Sequence, residues 1–301
     1  MSAFTGNLSV SEMLTYKLRG GAGRCGSRMY TADTLYYSGI MPVRSEKLGF
    51  LIDLDGTVYR GNALVSGADR FVEHLVAHGI PYLFITNNST RSPAAVAEKL
   101  VGLGVSATAS HVVTAGEVTA ELVQNSSVFC IGEIGLHQAL QARGATFSER
   151  DVSHVVVGLD REANYQKIAT AVRCIRAGAK FIATNCDRVL VTENGLLPGA
   201  GAVVQAIAFA SGSKPLIVGK PERTLIDAAI VRLGVPREYV VVIGDNLETD
   251  ISAGMNASVQ TVLLETGFSK RENVNPDGPK PTWVARDYAE LTRLFLSGSA
   301  R

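Results

Sequence analysis

From Leu48 onward the chain alternates short apolar runs with helical patterns of about 10–15 residues, and few folds accommodate such a rhythm. Gly49-Phe50-Leu51-Ile52 is the first run and Ile80 to Ile85 the second. Val112-Val113, Val128 to Ile131, Val155 to Val157, Phe181-Ile182, Leu216 to Val218, Tyr239 to Ile243 and Val259 to Leu264 follow. Runs that are apolar throughout, rather than alternating with polar residues, fit strands buried on both faces. Between them the spacing predicts helices over Ala68–His78, stopped by Gly79, over Tyr165–Ala177 and over Arg223–Leu233. Ser92-Pro93 supplies an N-cap and a first-turn proline for a helix over Ala94–Leu100. The alternation predicts βαβ units and a mostly parallel, doubly wound sheet. With no internal repeat and no Pro- or Ser-rich linker, a second domain has to be an insertion.

Composition bounds the partners. Of 301 residues, 46% are hydrophobic and 19% charged, enough to bury a large core and too few charges for a disordered chain. Lys plus Arg number 29 against 28 Asp plus Glu, so no general field draws the chain to nucleic acid or an acidic membrane. A phosphate must therefore be held by a local site. No apolar run reaches the length of about 18 residues needed to cross a bilayer. Cys25, Cys130, Cys174 and Cys186 form no C-x-x-C pair, which favours reduced thiols in a cytoplasmic setting. Residues 1–46 show no sustained period; Gly20, Gly21, Gly23 and Gly26 break any helix there, and a disordered extension is expected. A basic, acid-poor leader is also the composition of an organellar transit peptide, against which stand Glu12 and Asp33.

In an open α/β sheet, ligands gather beyond the carboxyl ends of the strands. Four runs lead straight into reactive groups there. The first delivers Asp53-Leu54-Asp55-Gly56-Thr57, two carboxylates on one side of an extended chain with a glycine to turn after them. Such neighbours repel, and a bound cation is the natural way to keep both useful. The second delivers Thr86-Asn87-Asn88-Ser89, donors suited to phosphate oxygens; the third, Lys220 before Pro221; the fourth, Gly244-Asp245 and then Asp250. Singly, each is commonly a turn or a cap. Together they equip a site for phosphoryl transfer through a carboxylate nucleophile. Gly219-Lys220 is no P-loop, because Pro221 stands where a Ser or Thr would reach magnesium. Gly199-Ala200-Gly201 follows Leu197-Pro198 rather than an expected strand, which argues against a dinucleotide turn.

Asp53-x-Asp55-Gly56-Thr57, Thr86-Asn87-Asn88, Lys220 and Gly244-Asp245 with Asp250 resemble the four motifs of the haloacid dehalogenase-like hydrolases. The stretches DLDGTVYRGN, TNNSTRSP, GAKFIATN, LLPGAG, VGKPE and GDNLETDISAG resemble the NagD- and AraL-like sugar phosphatases and 4-nitrophenylphosphatases. One departure is Cys186-Asp187 after ATN, where those proteins often carry Pro before Asp. The resemblance implies a Rossmann-like core with a smaller α/β cap inserted between the second and third motifs. The interval from Thr86 to Lys220 is far longer than a core needs and has its own βαβ pattern, so the expected division is core at 47–117 and 215–298 and cap at 118–214.

The same resemblance implies a Mg2+-dependent phosphatase of small phosphorylated metabolites, sugar phosphates among them, with a homodimer formed through the cap. Asp53 would attack phosphorus, and Asp55 would act as acid and then base. Thr86, Asn87, Asn88 and Lys220 would bind phosphate. Asp53, the Asp55 carbonyl and Asp245 would hold the metal, and Asp250 would steady its waters or Lys220. Asn185 and Asp187, on a loop of the cap, are the candidates for reading the leaving group. Phosphoglycolate, pyridoxal phosphate and nucleotides remain open as substrates, as does transfer to an acceptor other than water. A receiver-like module that holds an aspartyl-phosphate without turnover is the alternative of a different class; it needs neither the long insert nor Asp55.

Overall fold

The computed structural model describes residues 48–192 and 195–296. The expectations for residues 1–46, and for Cys25, lie outside them.

Fifteen strands are described: β1 Gly49–Asp53, β2 Tyr59–Arg60, β3 Ala63–Leu64, β4 Tyr82–Thr86, β5 Val112–Thr114, β6 Ser127–Ile131, β7 Thr146–Phe147, β8 His154–Val157, β9 Lys180–Ala183, β10 Val189–Thr192, β11 Gly195–Pro198, β12 Leu216–Ile217, β13 Val240–Gly244, β14 Gln260–Leu264 and β15 Trp283–Ala285. Six of them form a parallel sheet in the order β15-β14-β13-β1-β4-β5. From β1 the chain moves outward through β4 and β5 and later returns to the other side of β1 as β13. The strand order thus reverses between β1 and β13, the switch point at which such sheets bind ligands. Leu51 is level with Val242 and Ile52 with Ile243, so Asp53 and the residues after Gly244 leave the sheet together.

The period of two along the buried strands sorts side chains to opposite faces. Phe50, Ile52, Phe84, Val241 and Ile243 pack with Phe71, Leu75, Leu100, Leu291 and Phe295 of the helices Ala68–Ala77, Pro93–Gly102 and Tyr288–Leu296. Phe50 is fully buried and meets Phe71 and Phe295 edge to face, with centroids 5.9 and 5.5 Å away. Truncating such a ring costs about 3–5 kcal/mol. Leu51, Ile85, Val240 and Val242 face the other way, onto Leu225, Ile226 and Ala229 of the helix Thr224–Leu233. The Ser92 cap is formed, its Oγ accepting from the Ala95 N–H at 3.3 Å.

A second parallel sheet, ordered β12-β9-β8-β6-β7, carries the cap. The apolar run before Lys220 is a strand, as its composition predicts, but β12 pairs with β9 of this second sheet. It therefore reaches the site from the cap side. β10 and β11 form an antiparallel hairpin, so the Gly199-Ala200-Gly201 turn does follow a strand and does open a helix, Ala200–Ser211. Its glycines serve close packing: a Cβ on Gly201 would lie 2.5 Å from the Cys186 carbonyl oxygen. Among the described residues, no helix is long and apolar enough to cross a membrane.

Candidate active site

Three acids and one lysine converge at the switch point. Asp53 ends β1, Asp245 follows β13, and Asp250 lies on the π-helical turn Leu247–Ile251 just beyond. Carboxylate oxygens of the three lie within 4.8 Å of one another, and all three residues are buried. The Lys220 Nζ donates to Asp53 Oδ1, and to Asp250 Oδ1 at 2.7 Å. Asp250 is held in turn by the Asn246 N–H, 3.1 Å from its Oδ2. Asp245 accepts from the Thr57 hydroxyl at 3.1 Å and the Phe268 N–H at 2.6 Å. Gly56, at φ +91°, makes the turn after Asp55; a Cβ there would sit 2.5 Å from Asp245 Oδ2, so only glycine leaves that carboxylate its place.

Three carboxylates against one ammonium leave two negative charges in a buried space. The titration of the acids shows the strain. Burial, with Asp250 close by, pushes the Asp53 carboxyl well above its ordinary range. Burial and the same neighbour raise Asp245 to about 6. Burial disfavours the Lys220 ammonium, yet Asp250 and Asp53 outweigh it and hold Lys220 above the ordinary lysine range. An oxygen-only, doubly negative cluster fits a hard divalent cation in charge and in donor chemistry.

Asp55 stands apart from the cluster, its carboxyl open to a cavity of about 360 Å³ whose walls also include Thr86, Asn88, Thr90, Arg91, Lys99, Glu133 and Arg161. Withdrawal of bulk water by these walls raises the Asp55 pKa, against the pull of Lys99 and Lys220. The Tyr59 hydroxyl lies 3.5 Å from Asp55 Oδ2, and Lys99 Nζ lies 3.5 Å above the Tyr59 ring. Thr86 Oγ1 accepts from the Asn88 N–H at 3.1 Å, which leaves its own proton to donate into the cavity. The Asn88 amide oxygen is taken by the Thr90 N–H and hydroxyl, both at 2.8 Å.

Asn87 has its side chain turned away from the cavity. Its Oδ1 accepts from the Lys220 N–H at 2.8 Å, while its Nδ2 donates to the Lys220 carbonyl at 2.9 Å and to Asp187 Oδ1 at 3.1 Å. The Asn185 Nδ2 donates to the Asn87 carbonyl at 2.9 Å. Asn185 and Asp187, expected to read the leaving group, thus fasten the loop of Asn87 and do not line the cavity. The side chains that do line it on the cap side are Glu133, Ile134 and Arg161, and Arg91, Lys99 and Tyr59 line it on the core side. Arg91 and Tyr59 lie inside the motif stretches themselves. Lys99 has no signal beyond standing one turn and a half into the helix that follows.

Cys130, Cys174 and Cys186 are free thiols, and none belongs to the acidic cluster.

Known proteins share this architecture. A model of the haloacid dehalogenase-like hydrolases matches residues 50–146, and a second, HAD-hydrolase-like, matches residues 217–291. The 5'-nucleotidase YutF of Bacillus subtilis is 43% identical over 238 residues, covering 78% of this chain and 93% of its own length. An acid sugar phosphatase of Staphylococcus saprophyticus is 39% identical over 249 residues, covering 81% of this chain and 96% of its own. A glycerol phosphate phosphatase of Mycobacterium tuberculosis, solved in complex with magnesium, superposes with a TM-score of 0.75 at 34% identity, covering 82% of this chain and 76% of its own. The chain belongs to the haloacid dehalogenase-like hydrolases and, within them, to the phosphoric monoester hydrolases with an inserted cap.

Proposed function

We propose that this protein is a magnesium-dependent phosphatase of small phosphorylated metabolites that works through an aspartyl-phosphate on Asp53. The observation that carries the reading is the convergence of Asp53, Asp245, Asp250 and Lys220 in one buried cluster, beside a cavity onto which Asp55 and Thr86 open. The core is assigned to residues 47–117 and 215–298 and the cap to 118–214, except that β12, Leu216–Ile217, pairs with β9 of the cap sheet and so moves that boundary to just after Ile217.

Asp53, Asp245 and the Asp55 carbonyl are the residues that would hold Mg2+. The ion, when bound, supplies positive charge that offsets repulsion between carboxylates and a phosphate dianion. Asp53 attacks phosphorus in line, and the leaving alkoxide takes the proton of Asp55. Burial raises the Asp55 pKa, against the pull of Lys99 and Lys220, which favours its role as the proton donor. With the alcohol gone, the Asp55 carboxylate takes a proton from water, whose oxygen then attacks the phosphorus of the acyl phosphate and frees Asp53. The Thr86 hydroxyl, oriented by the Asn88 N–H, and the Asn87 backbone N–H hold the equatorial oxygens. Lys220, tied to Asp53 and Asp250, neutralises charge that moves from nucleophile to phosphoryl group. Asp187 and Asn185 act through Asn87, which fixes the backbone that presents Lys220.

Relatives that act on nucleotides and on sugar phosphates support a small phosphate ester as substrate. The test is phosphate release from 4-nitrophenyl phosphate with added magnesium and with EDTA. Turnover should require the metal and vanish in Asp53→Asn. Full turnover by that variant would overturn the assignment of the nucleophile.

A further inference from the structure

The cavity beside Asp55 carries more positive charge than a phosphoryl group alone requires. Arg161 of the cap is paired with Glu133 at 2.5 Å, which leaves that pair neutral. Arg91 and Lys99, on the core side, have no carboxylate within salt-bridge distance among the described residues. Lys99 is half-buried and held over the Tyr59 ring, so its ammonium is positioned rather than waving in solvent. Arg91 immediately precedes the Ser92 cap of the helix Pro93–Gly102, whose N-terminal dipole adds positive potential at the same wall. Both cations line the same cavity as the Asp55 carboxyl, on the leaving-group side of the phosphoryl site. The transferred phosphate already has Lys220 and the Thr86 loop.

We propose that Arg91 and Lys99 form a second anion subsite for the leaving group, so that preferred substrates carry a carboxylate or a second phosphate beyond the ester that is cleaved. The inference rests on the phosphatase reading above and narrows it: a neutral polyol leaving group leaves two cations in the cavity without a partner, and an anionic one satisfies them. Arg161, paired with Glu133, lines the cap-side wall. Position favours a small molecule, since about 360 Å³ lies at the low end of ligand pockets.

The experiment compares substrates matched in carbon skeleton: glycerol 3-phosphate with 3-phosphoglycerate for the carboxylate, and fructose 6-phosphate with fructose 1,6-bisphosphate for the second phosphate. The reading is the ratio of kcat/KM, anionic over neutral, within each pair. At low ionic strength the ratio should be about tenfold or more in at least one pair, and the pair that shows it identifies the anion. Salt should reduce it. Arg91→Gln and Lys99→Gln should each lower that ratio about threefold or more, and Arg91→Glu should bring it to one or below. A ratio near one in both pairs for the native protein refutes the subsite, as does a high ratio that neither variant nor salt changes. Turnover of 4-nitrophenyl phosphate, measured on the same preparations, separates this outcome from failure of the phosphatase reading. Without that turnover the underlying chemistry has failed; with it, only the subsite has.

Discussion

Lys220→Met probes the centre of the site most directly. The ammonium is 3% exposed as a residue and bonded to two carboxylates, Asp53 and Asp250, with Asp245 in the same cluster. Methionine keeps the volume and removes the charge, so nothing but the electrostatics changes at first order. Removing one partner from a buried ion cluster costs about 3–5 kcal/mol, because the remaining charges are left uncompensated. For a domain of this size each kcal/mol moves the melting temperature by about 2–4 °C, so in EDTA near neutral pH a loss of about 6–20 °C is expected. The penalty has a ceiling, since the cluster can take up a proton instead of bearing the bare charge. Asp53 and Asp245 already titrate high, and without Lys220 they should titrate higher still. The gap between Lys220→Met and the native protein should therefore narrow as pH falls toward about 5. Asp250→Asn in the same background removes one of the stranded charges and should recover part of the loss, a coupling of about 1–3 kcal/mol. Activity should fall about 10²–10³-fold in Lys220→Met. Thermal melts of the native protein, the two single variants Lys220→Met and Asp250→Asn, and the double variant across pH form the assay. A single variant as stable as the native protein in EDTA at neutral pH, or a gap that widens on acidification, would show that the lysine does not compensate these acids.

Two further outcomes test neighbouring parts of the same cluster. In EDTA, the Asp245 carboxyl titrates near 6 in the folded protein against about 3.9 unfolded, so the stability it allows is full below about pH 4 and lost as pH rises through 6; the melting advantage of Asp245→Asn over the native protein should grow across that window, and an advantage that shrinks would reverse the sign. Asn87→Ala leaves the buried Lys220 N–H and carbonyl without their partner, which should cost about 1–3 kcal/mol and lower kcat with less change in KM; an unchanged kcat would mean the loop holds Lys220 without it.

The parts of the site that were legible in the sequence are those whose chemistry and position are both local. Asp53 and Asp55 end an apolar run, Asp245 ends another, and a strand end is where such groups can meet a ligand. Pairing partners are a different matter. Leu216–Ile217 reads as a strand from its own residues, but its neighbour in space is β9, more than thirty positions earlier, and nothing in two residues of edge strand specifies that choice. The hairpin at Gly195–Pro198 was hidden for a related reason. Pro198 argues against a strand, yet it ends an exposed two-stranded ribbon, pairing opposite Val189, where a missing N–H costs little. Asn185 and Asp187 are visible as polar loop residues of the cap, but that they meet Asn87 depends on how the cap closes over the core, a relation between positions 98 and 100 residues apart.

The amide of Asn87 ties together three loops that come from distant parts of the chain: its own, the backbone around Lys220, and the turn bearing Asp187. A displacement of that turn large enough to part Asp187 from Asn87 removes a restraint on the very group that fixes the lysine backbone. One side chain therefore couples the position of the Asp187 turn to the backbone that presents the lysine.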